Sequence, residues 1–246
     1  LKVHVMTDID PTHSSGEPST RPHDDTDQAG FGWVRKVLGA SLSYLADGGD
    51  IASLPVETVL EPTLKLLLIY FSGRWCPICT HLDEYVKEVY HTLKAQAESG
   101  CDLELIWVSC DVTDTSYRSH LEALGKSILS VPWTRTHMDT LSEHFDAQGV
   151  PALVVVDFIS GKVLSRTGYE DVVDVRQLPH QTSQCQALHL KWMDLWYVAH
   201  GLPAKSQSRS GWSGGRRGSS NIRNADGHVS LRRGVAAVSK AASLFR

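Results

Sequence analysis

The chain lacks what would tie it to a membrane. No uninterrupted apolar stretch is long enough to cross a bilayer, and no apolar leader-like run follows Leu1. A soluble protein is expected, cytoplasmic in the first instance, with mitochondrial or nuclear residence as alternatives and no membrane partner. Cysteine is also scarce: five in 246 residues, an odd number, and only Cys76 and Cys79 stand at motif spacing. Cys101, Cys110 and Cys185 are scattered, which excludes a secreted disulfide framework. There is no second Cys-x-x-Cys and no His-x-x-x-His, so a two-knuckle zinc site lacks half its ligands. No metal is expected; a zinc site completed by His81, Cys101 or Cys110 is the alternative. No internal repeat is visible.

Acidic residues are nearly missing from one end. From Gly201 to Arg246 there are nine Lys and Arg against one acid, Asp226. That tail is +8 and leaves a body at −12, within an overall charge of −4. The tail is rich in Gly, Ser and Arg and is expected to be disordered. It has no regular Arg-Gly-Gly array, so a solvated tail is preferred to RNA binding, and no nucleic-acid partner is expected. Leu1–Gly30 is poor in apolar residues and reads as a second disordered arm. Its histidines are too irregularly spaced for a metal-binding arm.

Between the two ends, the chain has enough apolar residues for a core, and its centre is Leu66 to Cys79, read LLLIYFSGRWCPIC. Leu66–Phe71 is an apolar run of the kind a fully buried strand needs. Ser72-Gly73-Arg74 breaks it. From Pro77 the spacing turns helical, with Ile78, Leu82, Tyr85, Val86, Val89, Tyr90, Leu93 and Ala97 on one face. The Cys-x-x-Cys pair thus falls where a strand hands over to a helix. First-turn N–H groups lack intrahelical partners, and the helix dipole adds partial positive charge there. A thiolate at Cys76 is favoured by that setting, and the thiolate is the nucleophile. Pro77 suits the first helical position, where its missing N–H costs nothing. Cys79 is one turn on and can reach back to the same sulfur.

The rest of the pattern is read around this centre. Phe31–Leu45 has helical spacing and stops at Gly48-Gly49, Asp50–Leu54 reads as a short strand, and Pro55–Thr63 as a connection. Leu103–Ser109 is a strand, parallel to Leu66–Phe71 because a helix links the two. Asp111–Leu124 starts as a turn and becomes helical around Tyr117, Leu121 and Leu124. Ser130–Trp133 is a loop, and Asp139–Phe145 a short helix. Ala152–Asp157 and Lys162–Thr167 form an antiparallel hairpin around Ser160-Gly161. After Gly168 the pattern weakens, and Cys185–His200 reads as one more helix.

This order, with Cys-x-x-Cys at a strand-to-helix junction, resembles the thioredoxin superfamily. Residues 34 to 174 resemble its tryparedoxin/nucleoredoxin branch in particular. The resemblance rests on Tyr70-Phe71-Ser72-Gly73-Arg74-Trp75-Cys76-Pro77, the Val131-Pro132 loop, His144-Phe145 leading to Val150-Pro151-Ala152-Leu153, and the Asp157–Gly161 turn. It implies an α/β thioredoxin-like fold, a central mixed β-sheet flanked by helices, in a domain over 31–180; the further helix over 181–200 is read from its apolar stripe alone and has no counterpart in the resemblance. It implies Cys76 and Cys79 as the catalytic dithiol of a protein-disulfide reductase. Trp75, Pro77, Ile78, Val150 and Pro151 are then the substrate-facing residues, with Pro151 the cis proline opposite the pair. The implied partners are disulfide-containing proteins such as peroxidases, with a trypanothione-like dithiol or a reductase as electron donor. The pair is itself the redox centre, so no cofactor is called for, and a monomer is expected. The alternative is a redox-gated, nucleoredoxin-like binding scaffold without substantial turnover.

Four positions depart from the family pattern. Ile78 stands where a second proline is usual, Thr80 where a basic residue follows the second cysteine, and Glu84 where a proline kinks the helix. Tyr70 stands where thioredoxins proper carry a buried acid, which removes that carboxylate as a proton acceptor.

Overall fold

The computed structural model describes residues 25–96, 102–176 and 181–206. The expectations for the Leu1–Asp24 part of the arm, for Cys101 and for the basic tail beyond Ser206 lie outside the described residues.

One strand fixes the architecture. In β3, Leu66–Ser72, all seven residues are buried. A strand buried on both faces needs both edges paired and both faces covered. β4, Leu103–Ser109, runs parallel on one edge, Leu66 opposite Leu103 through Ser72 opposite Ser109. β6, Ala152–Asp157, runs antiparallel on the other, Phe71 opposite Ala152. Shorter strands extend the sheet: β1 Ser41–Leu45, β2 Ile51–Pro55, β5 Leu129–Ser130 and β7 Val163–Ser165. The order is β2-β1-β5-β4-β3-β6-β7, seven strands with mixed directions.

Side chains alternate across this sheet and sort into two cores. Leu66, Leu68 and Tyr70 of β3 face α3 (Pro77–Gln96), α4 (Asp114–Leu124), α6 (Gly168–Arg176) and α7 (Gln181–Ala199). Leu67, Ile69 and Phe71 face α1 (Asp25–Val37), the single turn α2 (Val56–Val59) and α5 (Arg135–Phe145). The result is a three-layer α/β/α domain with a thioredoxin-like fold. The expected strands Leu66–Phe71, Leu103–Ser109 and Ala152–Asp157 and the helix from Pro77 stand where the sequence pattern puts them.

The structure corrects several boundaries. The expected helix Phe31–Leu45 is two elements. Leu38 N–H closes the last turn of α1 on Val34 O at 2.7 Å, and Gly39 at φ +107° then turns the chain. Beyond that turn the chain enters β1, with Leu42 opposite Leu54 of β2. Gly48-Gly49, read as a helix stop, lies instead in the β1–β2 turn. α1 also begins six residues before Phe31, so the last residues of the expected arm, Asp25–Gly30, are helical. β5 escapes pattern reading because two residues carry no period. Among its described apolar side chains, α6 buries only Val172 and Val175.

The largest correction concerns α7, expected as a helix outside the domain. Cys185, Leu188, Trp192 and Met193 lie in the same apolar cluster as β3 and β4. Trp192 Nε1 donates to Asp171 Oδ2 at 2.9 Å, and Lys191 pairs with Asp171 Oδ1 at 2.6 Å. Further along, Trp196 Nε1 and His200 Nε2 both meet the Asp157 carboxylate, at 3.0 and 3.2 Å. A helix that supplies a fully buried tryptophan to the core belongs to the domain, so the boundary moves past residue 180. Trp192→Ala should cost about 3–5 kcal/mol, because it opens a cavity and strips Asp171 of a buried donor. Chemical denaturation checks this; a loss within 1 kcal/mol would show that α7 is not part of the cooperative core.

Candidate active site

β3 ends at Ser72, and Gly73–Trp75 form the loop that carries the chain onto α3. Cys76 N–H donates to Gly73 O at 3.0 Å, which tightens this turn. The helix opens at Pro77, and its first bond runs from Thr80 N–H to Cys76 O at 3.2 Å. Cys76 therefore sits at the N-terminus of a 20-residue helix. Its sulfur accepts the Cys79 amide N–H at 3.3 Å, one of the otherwise unpartnered first-turn donors. Its thiol points at the Val150 carbonyl, 3.8 Å away.

The two cysteines are unequal. Cys76 is 6% exposed, and Cys79 is fully covered. Burial pushes the Cys79 thiol up to about 12; its hydrogen bond with Cys76 adds to this, and so does the nearby Asp83 charge. Cys79 is a fully covered thiol in waiting, and Cys76, at the helix N-terminus, is the less covered of the two.

An apolar rim surrounds Cys76. Trp75 and Ile78 are each 61% exposed. Trp75 is held in place by its indole N–H, which donates to Cys110 O at 2.8 Å. Gly73 makes room for the ring: a Cβ there would lie 2.6 Å from the indole nitrogen. Pro77 is exposed, and Val150 and Pro151 are half-buried on the opposite lip. The Val150–Pro151 peptide is cis. All seven residues proposed from the sequence thus gather in one place.

Other candidates fall elsewhere. Cys110 is half-buried, and its thiol points to Val108 O at 3.9 Å. Burial first, then the charges of Asp111 and Asp139, push it up to about 12. Cys185 lies on the buried face of α7, in the core. His81 is engaged by Tyr85 Oη at 2.6 Å. Among the described residues no three His, Cys, Asp or Glu converge as a metal site. Trp133 is half-buried and donates to Asp111 O at 2.9 Å.

Beneath the pair lies a polar line that motif reading misses. Tyr70 Oη donates to Asp83 Oδ1 at 2.8 Å. Asp83 Oδ2 meets His120 Nε2 at 2.8 Å, and His120 Nδ1 meets Asp111 Oδ2 at 2.9 Å. Asp111 Oδ1 then accepts the backbone N–H of Arg74, in the loop before Cys76, at 2.8 Å. Its Oδ2 also accepts from Ser109 Oγ at 2.8 Å. Tyr70, Asp83, His120 and Asp111 are all buried. So although Tyr70 replaces the strand carboxylate, a buried carboxylate is present after all, brought by α3 one turn beyond Cys79. The available signal was position: His120 and Asp83 sit among Leu82, Val86, Tyr117, Leu121 and Leu124 on inward faces, where a polar residue needs a partner.

The charges on this line follow from its geometry. Burial alone would lower the His120 pKa, but the hydrogen bonds to Asp111 and Asp83 and their charges outweigh it and raise it to about 9. Burial likewise opposes ionisation of Asp111, yet the bonds from His120, the Arg74 amide and Ser109 hold its carboxyl below the ordinary carboxylate range.

Fold and site together define a dithiol domain of the thioredoxin superfamily. Within it, the domain is similar to the tryparedoxin/nucleoredoxin-like branch. Residues 64–163 match the thioredoxin-like family. Nucleoredoxin of Mus musculus is 33% identical over 115 residues, covering 45% of this chain and 25% of that protein. Probable nucleoredoxin 3 of Oryza sativa subsp. japonica is 26% identical over 145 residues, covering 59% of this chain and 29% of that protein. The chain spans about a quarter of the length of these curated relatives. Among solved structures, tryparedoxin II from C. fasciculata aligns with a TM-score of 0.49 and 23% identity, covering 61% of this chain and 91% of that one.

Two outcomes are expected from this geometry. At pH 7 iodoacetamide should modify Cys76 well before Cys79, read by mass spectrometry of the labelled peptides; equal rates would contradict the asymmetry. The second concerns pH. The His120 pKa is raised above its unfolded value of about 6.5, so its stabilising contribution is complete below that pH and is lost as pH rises towards about 9. Urea midpoints should fall between pH 7 and 9.5 in the wild type and fall less in His120→Gln.

Proposed function

We propose that the domain is a thiol–disulfide oxidoreductase that reduces disulfides in partner proteins. The observation that carries this reading is the inequality of the pair: Cys76 at the helix N-terminus, and a covered Cys79 thiol whose amide holds the Cys76 sulfur. A Cys76 thiolate attacks one sulfur of the partner disulfide. A mixed disulfide forms, and the other partner sulfur leaves as a thiolate that takes a proton from solvent. Cys79 then gives up its proton. Asp83, four residues along the same helix face, is the nearby buried carboxylate proposed to receive it. The Cys79 thiolate attacks Cys76, closing the intramolecular disulfide and releasing the second partner thiol.

Trp75, Ile78 and Pro77 on one lip, and Val150 and Pro151 on the other, are proposed to hold the partner segment, with the half-buried Val150 and its exposed neighbour Gly149 offering backbone for strand-like pairing. The partner is then a disulfide-bearing protein, of which a peroxidase is one case. The electron donor is proposed to be a low-molecular-weight dithiol of the trypanothione kind or a reductase. Because the cycle needs a reducing thiol pool to restart, we place it in the cytoplasm. The competing reading is a binding scaffold whose redox state gates association.

Trapping separates the two. Cys76→Ser should abolish turnover of a protein disulfide. Cys79→Ser should keep the first attack and lose resolution, so a covalent adduct accumulates and is released by dithiothreitol. Should Cys110 resolve the adduct instead, trapping will require the Cys79/Cys110 double variant. Retained turnover in Cys76→Ser, or no adduct in any variant, would move the scaffold reading ahead.

A further inference from the structure

The line beneath the pair has a property that its members do not have singly. His120 presents each ring nitrogen to a carboxylate, Nδ1 to Asp111 and Nε2 to Asp83. An ionised carboxylate only accepts, so both bonds can form together only if both nitrogens carry hydrogens, as in imidazolium. The ring is 2% exposed, so this charge is enclosed between its two partners. Trp107 packs edge-on against it at 4.7 Å. The clamp also reaches the reacting groups from both sides. Asp111 holds the Arg74 amide ahead of Cys76, and Asp83 holds Tyr70 and lies one turn from Cys79.

We propose that His120 is a positioning residue of the dithiol reaction: clamped between Asp111 and Asp83, it holds Asp83 as a carboxylate in place one helical turn from Cys79. This rests on the turnover reading of the pair given above.

Two observations support the assignment. The shift of His120 towards the protonated form agrees with the geometry. In addition, a cavity of about 270 Å³ is lined by Arg74, Thr80, Asp83, Glu84 and His120, which gives the enclosed carboxylate and imidazole an outlet to solvent. A proton taken from Cys79 by Asp83 can leave there without passing the partner docked over Cys76. The charged and titratable groups around His120 are few. α3 contributes Asp83, Glu84 and Lys87, the last two paired with each other at 3.2 Å. The loop before Cys76 contributes Arg74, whose guanidinium donates to Ser119 O at 3.0 Å. The β4–α4 loop contributes Asp111, β3 contributes Tyr70 through Asp83, and α4 itself contributes Tyr117. None of these except the two clamping carboxylates is hydrogen-bonded to the imidazole among the described residues.

Without the imidazolium, two buried carboxylates lose their common counter-charge, and proton binding by the pair becomes more favourable. A protonated Asp83 cannot take up the proton of Cys79.

The test uses the full chain and 5,5′-dithiobis(2-nitrobenzoate) in stopped flow. The first thionitrobenzoate is released when Cys76 attacks, and the second when Cys79 displaces the mixed disulfide. If the dithiol reading itself is wrong, wild type shows no intramolecular second phase. If it is right, the second phase in His120→Gln at pH 7 should be slower by about tenfold or more, with the first phase little changed. Its pH profile should gain an ascending limb in the neutral range that wild type lacks, and that limb should vanish in Asp83→Asn/His120→Gln. Wild type should instead show an inflection near pH 9. A wild-type second phase that His120→Gln leaves unchanged in rate and profile overturns the proposal. If His120→Gln does not fold, the histidine ring nitrogens of the wild type, followed by ¹⁵N NMR, decide: imidazolium at pH 7 that titrates near pH 9 supports the clamp, and a neutral ring at pH 7 overturns it.

Discussion

A strand buried on both faces constrains everything around it. β3 has no residue facing water, so each backbone edge must be paired and each face roofed by helices. Pairing β3 with β4 in parallel demands a crossover, and the crossover helix α3 must start at the top of β3 and return down one face. That single requirement places a helix N-terminus at the end of a strand buried on both faces. Cys76 stands at that junction. Its position is thus a consequence of the sheet, and the unpartnered first-turn amides it meets are a consequence of the helix.

The same face of the sheet supplies the polar line. Tyr70 alternates with Ile69 and Phe71 and so points towards α3, where Asp83 meets its hydroxyl. Trp107 on β4 points the same way; its indole donates to Ser72 Oγ at 2.9 Å, and its ring stacks on Tyr117. Buried polar groups in this layer are costly unless every one is paired. The pairing here is continuous from Tyr70 to the Arg74 amide, which makes the loop before Cys76 part of the same connected set. Asp111 is the hub, since it receives the loop amide, Ser109 and His120 at once.

Legibility in the sequence followed the length and regularity of each signal. β3, β4, β6 and α3 were visible because apolar runs or long helical stripes dominate them. Leu42 misled because it extends the stripe of Val34 and Leu38 by four residues, so strand β1 reads as more helix; only Gly39, at a positive φ, marks the break. β5 and α6 are too short to carry a period. The dithiol was legible because its chemistry is local: two cysteines, a proline and a strand-to-helix change within fifteen residues. The clamp was not, because Asp83, His120 and Asp111 lie on three separate segments, and each alone looks like an ordinary polar residue.

The missing strand carboxylate illustrates why residue-by-residue comparison with a family can mislead. With Tyr70 in that place, the sequence argues against a buried acid near the pair. In the folded chain the tyrosine hydroxyl acts as a donor that helps hold a carboxylate arriving from the helix instead. A phenol alone beside Cys79 would be a poor proton acceptor: burial and the Asp83 charge both push its own pKa up. The phenol and the carboxylate therefore divide the task, one fixing and the other charged. A carboxylate on a helix interior needs compensation that a solvent-facing one does not. With Thr80 where the family places a cation, that compensation does not come from beside the cysteines. It comes from His120, across the layer on α4, within hydrogen-bond reach of both acids.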